Sequence, residues 1–89
     1  MEKDKRSFVH RLGRFSIPGS MVYTNPDLIM KILSRVVVTR AEYLLHDNRI
    51  EYIGYSWDFA EKEEYAEAPT YTAVIDDDSG DLRFDPAPY

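Results

Sequence analysis

The chain has 89 residues, no cysteine and a formal net charge of −5, and 44% of its residues are hydrophobic. This length allows one domain with a single modest core, and the hydrophobic content is too high for an intrinsically disordered chain. The lack of cysteine excludes disulfides and thiolate zinc sites, and it favours a reducing, cytoplasmic setting. We therefore expect one domain over residues 1–89, with frayed ends at about 1–7 and 86–89.

The charges are divided unevenly along the chain. Residues 1–40 carry eight Lys and Arg against three Asp and Glu, a net of +5, whereas residues 41–89 carry three against thirteen, a net of −10. Such asymmetry is typical of an interaction surface, although two halves that fold together also offset each other. No apolar run approaches the ~20 residues of a membrane span, so we expect no membrane association.

The N-terminal half contains the clearest helical pattern. Phe15 and Ile17 alternate with polar residues and predict a short strand or extended segment before the Pro18-Gly19 turn. Asn25-Pro26-Asp27 then combines a capping residue, a proline suited to the first helical position and an acid in the first turn. The sequence predicts an amphipathic helix over about 26–36, with an apolar stripe made of Leu28, Ile29, Ile32, Leu33 and Val36.

The segment from Val36 to Tyr55 has the two-residue period of a β-hairpin. A two-residue turn at Asp47-Asn48 is favoured because both residues tolerate positive φ. The turn predicts three pairs on one face, which are Leu45 with Ile50, Tyr43 with Tyr52 and Ala41 with Gly54. A capping box in Thr39-Arg40-Ala41-Glu42 favours a short helix instead, and we prefer the hairpin.

The C-terminal part predicts a second hairpin. Residues 58–67 are rich in Ala, Glu and Lys and predict either a short second helix or an acidic loop. Strand-like alternation over residues 70–75 leads to the turn Asp78-Ser79-Gly80, and Leu82 and Phe84 continue the returning strand. The expected fold class is α+β, with one amphipathic helix packed on a mostly antiparallel sheet of about four strands.

No motif for catalysis, cofactor binding or metal binding stands out. His10 and His46 are isolated, and the acidic run Asp76–Asp81 fails the calcium-loop pattern because Asp81 stands where glycine is required. Phosphate-binding glycine loops and nucleophile elbows are missing as well, and solvated carboxylates are poor general acids at neutral pH. We therefore expect that the protein is not an enzyme and needs no cofactor or metal.

The acidic half offers a candidate binding surface. Aromatic residues set among acids are typical of an interface with a basic partner, whereas the alternative is that Trp57 and Phe59 belong to the core and the acids only solvate the surface. The predicted partner-binding residues are Trp57, Asp58, Phe59, Glu61, Glu63, Glu64, Tyr65, Glu67, Asp76, Asp77, Asp78 and Asp81.

In small size, acidic charge and lack of cysteine, the chain resembles anti-CRISPR proteins and DNA-mimic inhibitors of phages and mobile elements. The resemblance implies an inhibitor that occupies a basic, nucleic-acid-binding surface of a host protein, in the host cytoplasm. One alternative is a nucleic-acid-binding regulator, and another is a homodimeric adaptor that uses an exposed edge strand. The basic segment that would bind nucleic acid contains Lys3, Lys5, Arg6, Arg11 and Arg14, with Phe8 and His10 between them.

Overall fold

Alternating apolar and polar residues form the first strand, in which Gly13, Phe15 and Ile17 are buried and their neighbours are half-buried. The structure is a computed structural model, and it describes residues 8, 10–62 and 67–87. The elements are β1 (Leu12–Pro18), α1 (Met21–Thr24), α2 (Pro26–Leu33), β2 (Val37–Leu44), β3 (Arg49–Tyr55), β4 (Tyr71–Ile75) and β5 (Leu82–Pro86). The fold is α+β, as expected, but it has two antiparallel sheets and two short helices.

The larger sheet has the strand order β1-β3-β2, and the smaller one is the β4-β5 hairpin. The second sheet begins beside the outer edge of β1. There the Arg14 backbone N–H donates to the carbonyl of Pro69 at 2.9 Å, and Arg14 forms an isolated parallel bridge with Thr70. The chain before β4 therefore covers part of one edge of the larger sheet.

Helix α2 begins as its sequence predicts. The Leu28 backbone N–H donates to the Asn25 side chain at 3.3 Å, and Pro26 occupies the first turn. The helix ends at Leu33 rather than near 36, because Ser34 donates its hydroxyl to a carbonyl of the last turn at 2.7 Å and the β-branched run from Val36 favours extended backbone. No pattern in the sequence predicts the four-residue helix α1.

The core combines residues from both sheets, α2 and one loop. Its buried members are Phe15, Ile17, Ile32, Val36, Tyr52, Phe59, Tyr71, Leu82 and Phe84. The ring of Phe59 stacks on Tyr71 with centroids 4.5 Å apart and meets Phe84 edge-on at 5.0 Å. Four residues of the apolar stripe predicted for α2 lie on the helix and face this core, since Ile32 is buried and Leu28, Ile29 and Leu33 pack against it. The fifth, Val36, is also buried but follows the end of the helix.

Segment 39–46 is part of a hairpin, as we preferred, and the alternative short helix is wrong. The predicted register is also wrong by two residues, since Tyr43 pairs with Ile50 and Ala41 pairs with Tyr52. The loop is therefore four residues long, and Asn48 adopts a φ of 49° in it. A shift by two keeps each residue on its predicted face.

Contacts from distant parts of the chain explain this longer loop. The Gly19 backbone N–H donates to the Asn48 carbonyl at 2.7 Å, and the Tyr43 hydroxyl donates to the Asn48 side chain at 2.7 Å. A bulge between Val38 and Arg40 then shifts the pairing once more near the start of β2.

The remaining predictions for the C-terminal part have mixed outcomes. Residues 58–62 and Glu67 contain no helix, so the short second helix predicted near 58–67 is not formed there, and 63–66 lie outside the described residues. Gly80 takes the positive φ, 75°, that its turn predicts. Pro86 ends β5 opposite Tyr71, where an edge strand tolerates the missing N–H, and residues 88–89 lie outside the described part, as do 1–7.

Candidate protein-binding site

A tight turn after β3 separates an exposed tryptophan from a buried phenylalanine. The Ser56 hydroxyl is fully buried, donates to the Arg35 carbonyl at 2.7 Å and accepts from the Asp58 backbone N–H at 3.1 Å. The Phe59 N–H closes the turn on the Ser56 carbonyl at 3.1 Å. This turn directs Trp57 toward solvent, with 40% of its surface exposed, and Phe59 into the core, with 0% exposed.

Trp57 keeps a defined environment although it is exposed. Its ring lies 4.9 Å from the ring of Phe8, and the guanidinium of Arg11 lies 5.7 Å from its centroid. Arg11 is itself held by a 2.7 Å hydrogen bond to the Phe59 carbonyl. Because these contacts restrict its orientation, Trp57 presents an ordered apolar surface, as the anchor residues of interfaces do.

An open groove of about 630 Å³ lies beside Trp57. One wall carries the Arg35–Asp58 pair, in which Nε and Nη2 donate to the two carboxylate oxygens at 2.9 and 3.0 Å. This two-point geometry fixes both charges at the rim of the groove, and the other guanidinium nitrogen bonds the Leu82 carbonyl at 3.3 Å. The lining residues are Phe8, Ser34, Arg35, Val36, Val37, Ser56, Trp57 and Asp58.

Two basic side chains at and just after the end of α2 connect the groove with the β4-β5 turn. The Lys31 ammonium donates to the Gly80 carbonyl at 2.5 Å, and Arg35 joins the base of that turn to Asp58. The end of α2 thus connects the groove to the turn. Arg35 thus connects Asp58 of the groove to Leu82, the residue that follows the acidic turn.

Within the turn, Asp76 has a structural role. Its carboxylate accepts hydrogen bonds from the backbone N–H groups of Asp78 at 2.8 Å and Ser79 at 3.1 Å. These backbone hydrogen bonds, that from Ser79 foremost, lower the pKa of Asp76. Asp77, Asp78 and Asp81 are exposed, so their carboxylates face solvent.

The other predicted partner-binding residues have different surroundings. Phe59 presents no surface to a partner, Glu61 is exposed and lies 3.6 Å from the Arg11 guanidinium, and Glu67 is exposed. Glu63, Glu64 and Tyr65 lie outside the described residues. Among the residues described, burial removes Phe59 from the predicted surface, whereas the acids at the rim of the Trp57 groove, at the β4-β5 turn and at Glu61 and Glu67 remain exposed or partly exposed.

The described bases of the N-terminal segment, Arg11 and Arg14, are half-buried. The Arg11 guanidinium donates to the Phe59 carbonyl and forms an ion pair with Glu61, and the Nε of Arg14 is buried. Lys3, Lys5 and Arg6 lie outside the described residues. His10 precedes β1 and His46 follows β2 at the other end of the sheet, so the structure does not bring the two histidines together.

Six of the eight groove residues escaped the sequence-based prediction of the site. One is Ser56, the neighbour of Trp57 in sequence, and the other five are Phe8, Ser34, Arg35, Val36 and Val37. These five are far from Trp57 in the chain, and no local pattern marks them as its neighbours. Within the described residues, no group of three or more His, Asp or Glu side chains could hold a metal ion. No helix in the described part of the chain is long and apolar enough to cross a membrane.

Comparisons of the chain with protein-family models, with curated proteins and with solved structures found no match.

Proposed function

We propose that this domain binds another protein through one face, formed by the Trp57 groove and the acidic β4-β5 turn. Its partner would present a basic surface of the kind that binds nucleic acid. By occupying that surface, the domain would act as an inhibitor, as its resemblance to small acidic inhibitors of phages and mobile elements implies.

The exposed but ordered Trp57 is the observation that carries the proposal. A large aromatic ring that is packed on Phe8 and Arg11, yet 40% exposed beside a groove, has the character of an interface anchor. The exposed acids Asp77, Asp78 and Asp81 add negative charge at the β4-β5 turn, which Lys31 and Arg35 connect to the groove. Arg11 contacts the ring, and the charges of Arg35 and Asp58 offset each other in the groove, so the acids of the turn supply the net negative charge that favours a basic partner and increases the rate of encounter.

The first experiment uses the intrinsic fluorescence of Trp57, the single tryptophan of the chain. A peptide of twelve residues that alternates Arg with Leu serves as the basic probe, and a peptide that alternates Glu with Leu is the control. We expect saturable quenching or a spectral shift with the basic peptide, and a dissociation constant that rises steeply between 0.05 and 0.5 M salt as the Debye length shrinks. Equal responses to both peptides would contradict an electrostatic interface.

Charge reversals locate the interface. The pair Asp77→Lys and Asp78→Lys changes the charge of the β4-β5 turn by four units and should weaken peptide binding at least tenfold. A matched pair, Asp47→Lys and Glu51→Lys, also changes the charge by four units, but at the β2-β3 hairpin. This pair should weaken peptide binding much less. If both pairs weaken binding equally, then net charge alone attracts the peptide, and the proposed face is wrong.

A competition experiment tests inhibition. A basic helix-turn-helix domain bound to a fluorescently labelled duplex is titrated with the protein, and release of the duplex is followed by anisotropy. We expect release by the natural sequence and none by Trp57→Ala combined with the turn reversals. If the protein instead binds the free duplex in a mobility-shift assay, the nucleic-acid-binding alternative replaces the inhibitor.

A further inference from the structure

Strand β2 is an edge strand whose outer side no described residue covers. It pairs only with β3 in the three-stranded sheet, and seven of its eight residues are exposed. Val37 and Tyr43 remain 57% and 53% exposed, although Tyr43 shares its face of the sheet with the buried Tyr52. The core covers β1 and β3 and stops short of β2.

An edge of this kind is a template for another strand. Proteins that keep such an edge unpaired usually place several charges, a proline, a β-bulge or a very short strand there. β2 has eight residues, VVTRAEYL, with one basic and one acidic side chain and four β-branched or aromatic ones. The bulge next to Arg40 interrupts the edge at one end and leaves the residues after it regular.

We infer that β2 pairs antiparallel with β2 of a second copy of this chain, about a two-fold axis at Ala41. In such a symmetric pair, the axis must pass through a residue that faces its own copy, because opposed side chains lie on the same side of the sheet. With the axis at Ala41, Arg40 of each copy lies opposite Glu42 of the other. The interface then contains two identical Arg–Glu pairs.

Neighbouring registers lack this complementarity. An axis at Glu42 places two carboxylates directly opposite each other, which destabilises a strand pair. Within one chain the Arg40 guanidinium and the Glu42 carboxylate lie 3.9 Å apart. An axis at Tyr43 places Arg40 opposite His46 and Glu42 opposite Leu44, so that neither charge gains a partner of opposite sign from the second copy. Charge complementarity therefore selects a second copy as the occupant and Ala41 as the axis.

Exchanging the two charges tests the register. The side chains of Arg40 and Glu42 are 71% and 55% exposed, so Arg40→Glu and Glu42→Arg should both fold. Each variant alone opposes like charges twice, and we expect its dimer dissociation constant, measured by sedimentation equilibrium, to rise about tenfold or more. The double variant restores opposite charges and should recover the natural affinity.

A mixture of the two single variants gives the sharpest result. Each homodimer carries repulsion, whereas the mixed dimer carries two attractive pairs, so the mixture should associate more tightly than either variant alone. Circular dichroism of each variant confirms folding. A mixture no tighter than its components, or a natural protein that stays at 10.4 kDa at about 1 mM, overturns the inference.

A single cysteine provides an independent test, because the natural chain has none. With the axis at Ala41, the two copies of that residue lie about 4.5–5.5 Å apart at Cα, within reach of a disulfide. Ala41→Cys should form a covalent dimer rapidly under mild oxidation, and Tyr43→Cys should not. The reverse pattern places the axis at Tyr43 and overturns the register.

Discussion

Replacing Phe59 by Ala tests whether this residue belongs to the core or to the binding face on which the sequence places it. The ring is 0% exposed, stacks on Tyr71 and meets Phe84 edge-on. Truncation of a buried Phe to Ala costs about 3–5 kcal/mol, from lost burial and from the cavity that remains. A domain of this size has about 4–13 kcal/mol of stability in total, so the variant should lose between about a quarter and all of its stability.

Trp57→Ala is the matched control two residues away. Its ring is 40% exposed and makes one aromatic contact with Phe8 and one cation–π contact with Arg11. Losing them should cost about 1–2 kcal/mol. Urea unfolding followed by circular dichroism measures both variants, and with a slope of about 1.5 kcal/mol/M the Phe59→Ala midpoint should fall by about 2–3 M.

Phe59→Leu keeps the test informative if the alanine variant does not fold. It preserves much of the buried volume and should cost about 1–2 kcal/mol while leaving the binding of a basic peptide unchanged. If Phe59→Ala were no less stable than Trp57→Ala, the assignment of Phe59 to the core would be wrong.

The turn, the sheet and the β4-β5 hairpin each provide a further test. Ser56→Ala leaves the Asp58 backbone N–H without its acceptor, so the free energy of unfolding in urea should fall by about 1–3 kcal/mol and the tryptophan emission should shift. If neither changes, the Ser56 hydroxyl does not stabilise the turn. Gly54→Ala places a Cβ against the backbone carbonyl oxygen of Val37 and 2.8 Å from a Val36 methyl group. The variant should lose about 1–3 kcal/mol by overpacking, which a thermal melt detects. Hydrogen bonds lower the folded-state pKa of Asp76 from 3.8, so the stability that they contribute is present above pH 3.8 and is lost as the pH falls through the folded pKa. NMR should therefore show the Asp76 carboxyl titrating below 3.8, and a value above 3.8 would contradict these hydrogen bonds.

The parts of the fold that depend on neighbouring residues are readable from sequence. The start of α2 follows from Asn25 and Pro26, and the left-handed residue Gly80 follows from its turn. The apolar stripe of α2 also follows, since it requires only the helical period. Each of these features involves a few consecutive residues whose backbone preferences agree.

The register of the β2-β3 hairpin could not be predicted in the same way. A two-residue turn at Asp47-Asn48 satisfies the hydrophobic pattern as well as the observed loop does, because a shift by two preserves both faces. A hydrogen bond from the Gly19 N–H, about thirty residues earlier, holds Asn48 in the longer loop. The Trp57 groove could not be predicted from sequence for a similar reason, because Phe8 and Arg35, which line it, come from distant parts of the chain.

The two proposed interactions should respond differently to salt, which allows each to be tested without the other. Binding of a basic partner to the Trp57 face loses both its long-range and its local attraction as salt rises. Pairing of two copies that each carry −5 loses long-range repulsion as well as the local Arg40–Glu42 attraction, so the two effects of salt oppose each other. The dimer dissociation constant should therefore change less with salt than the dissociation constant of the peptide does. Arg40→Glu should weaken the dimer far more than Trp57→Ala weakens it.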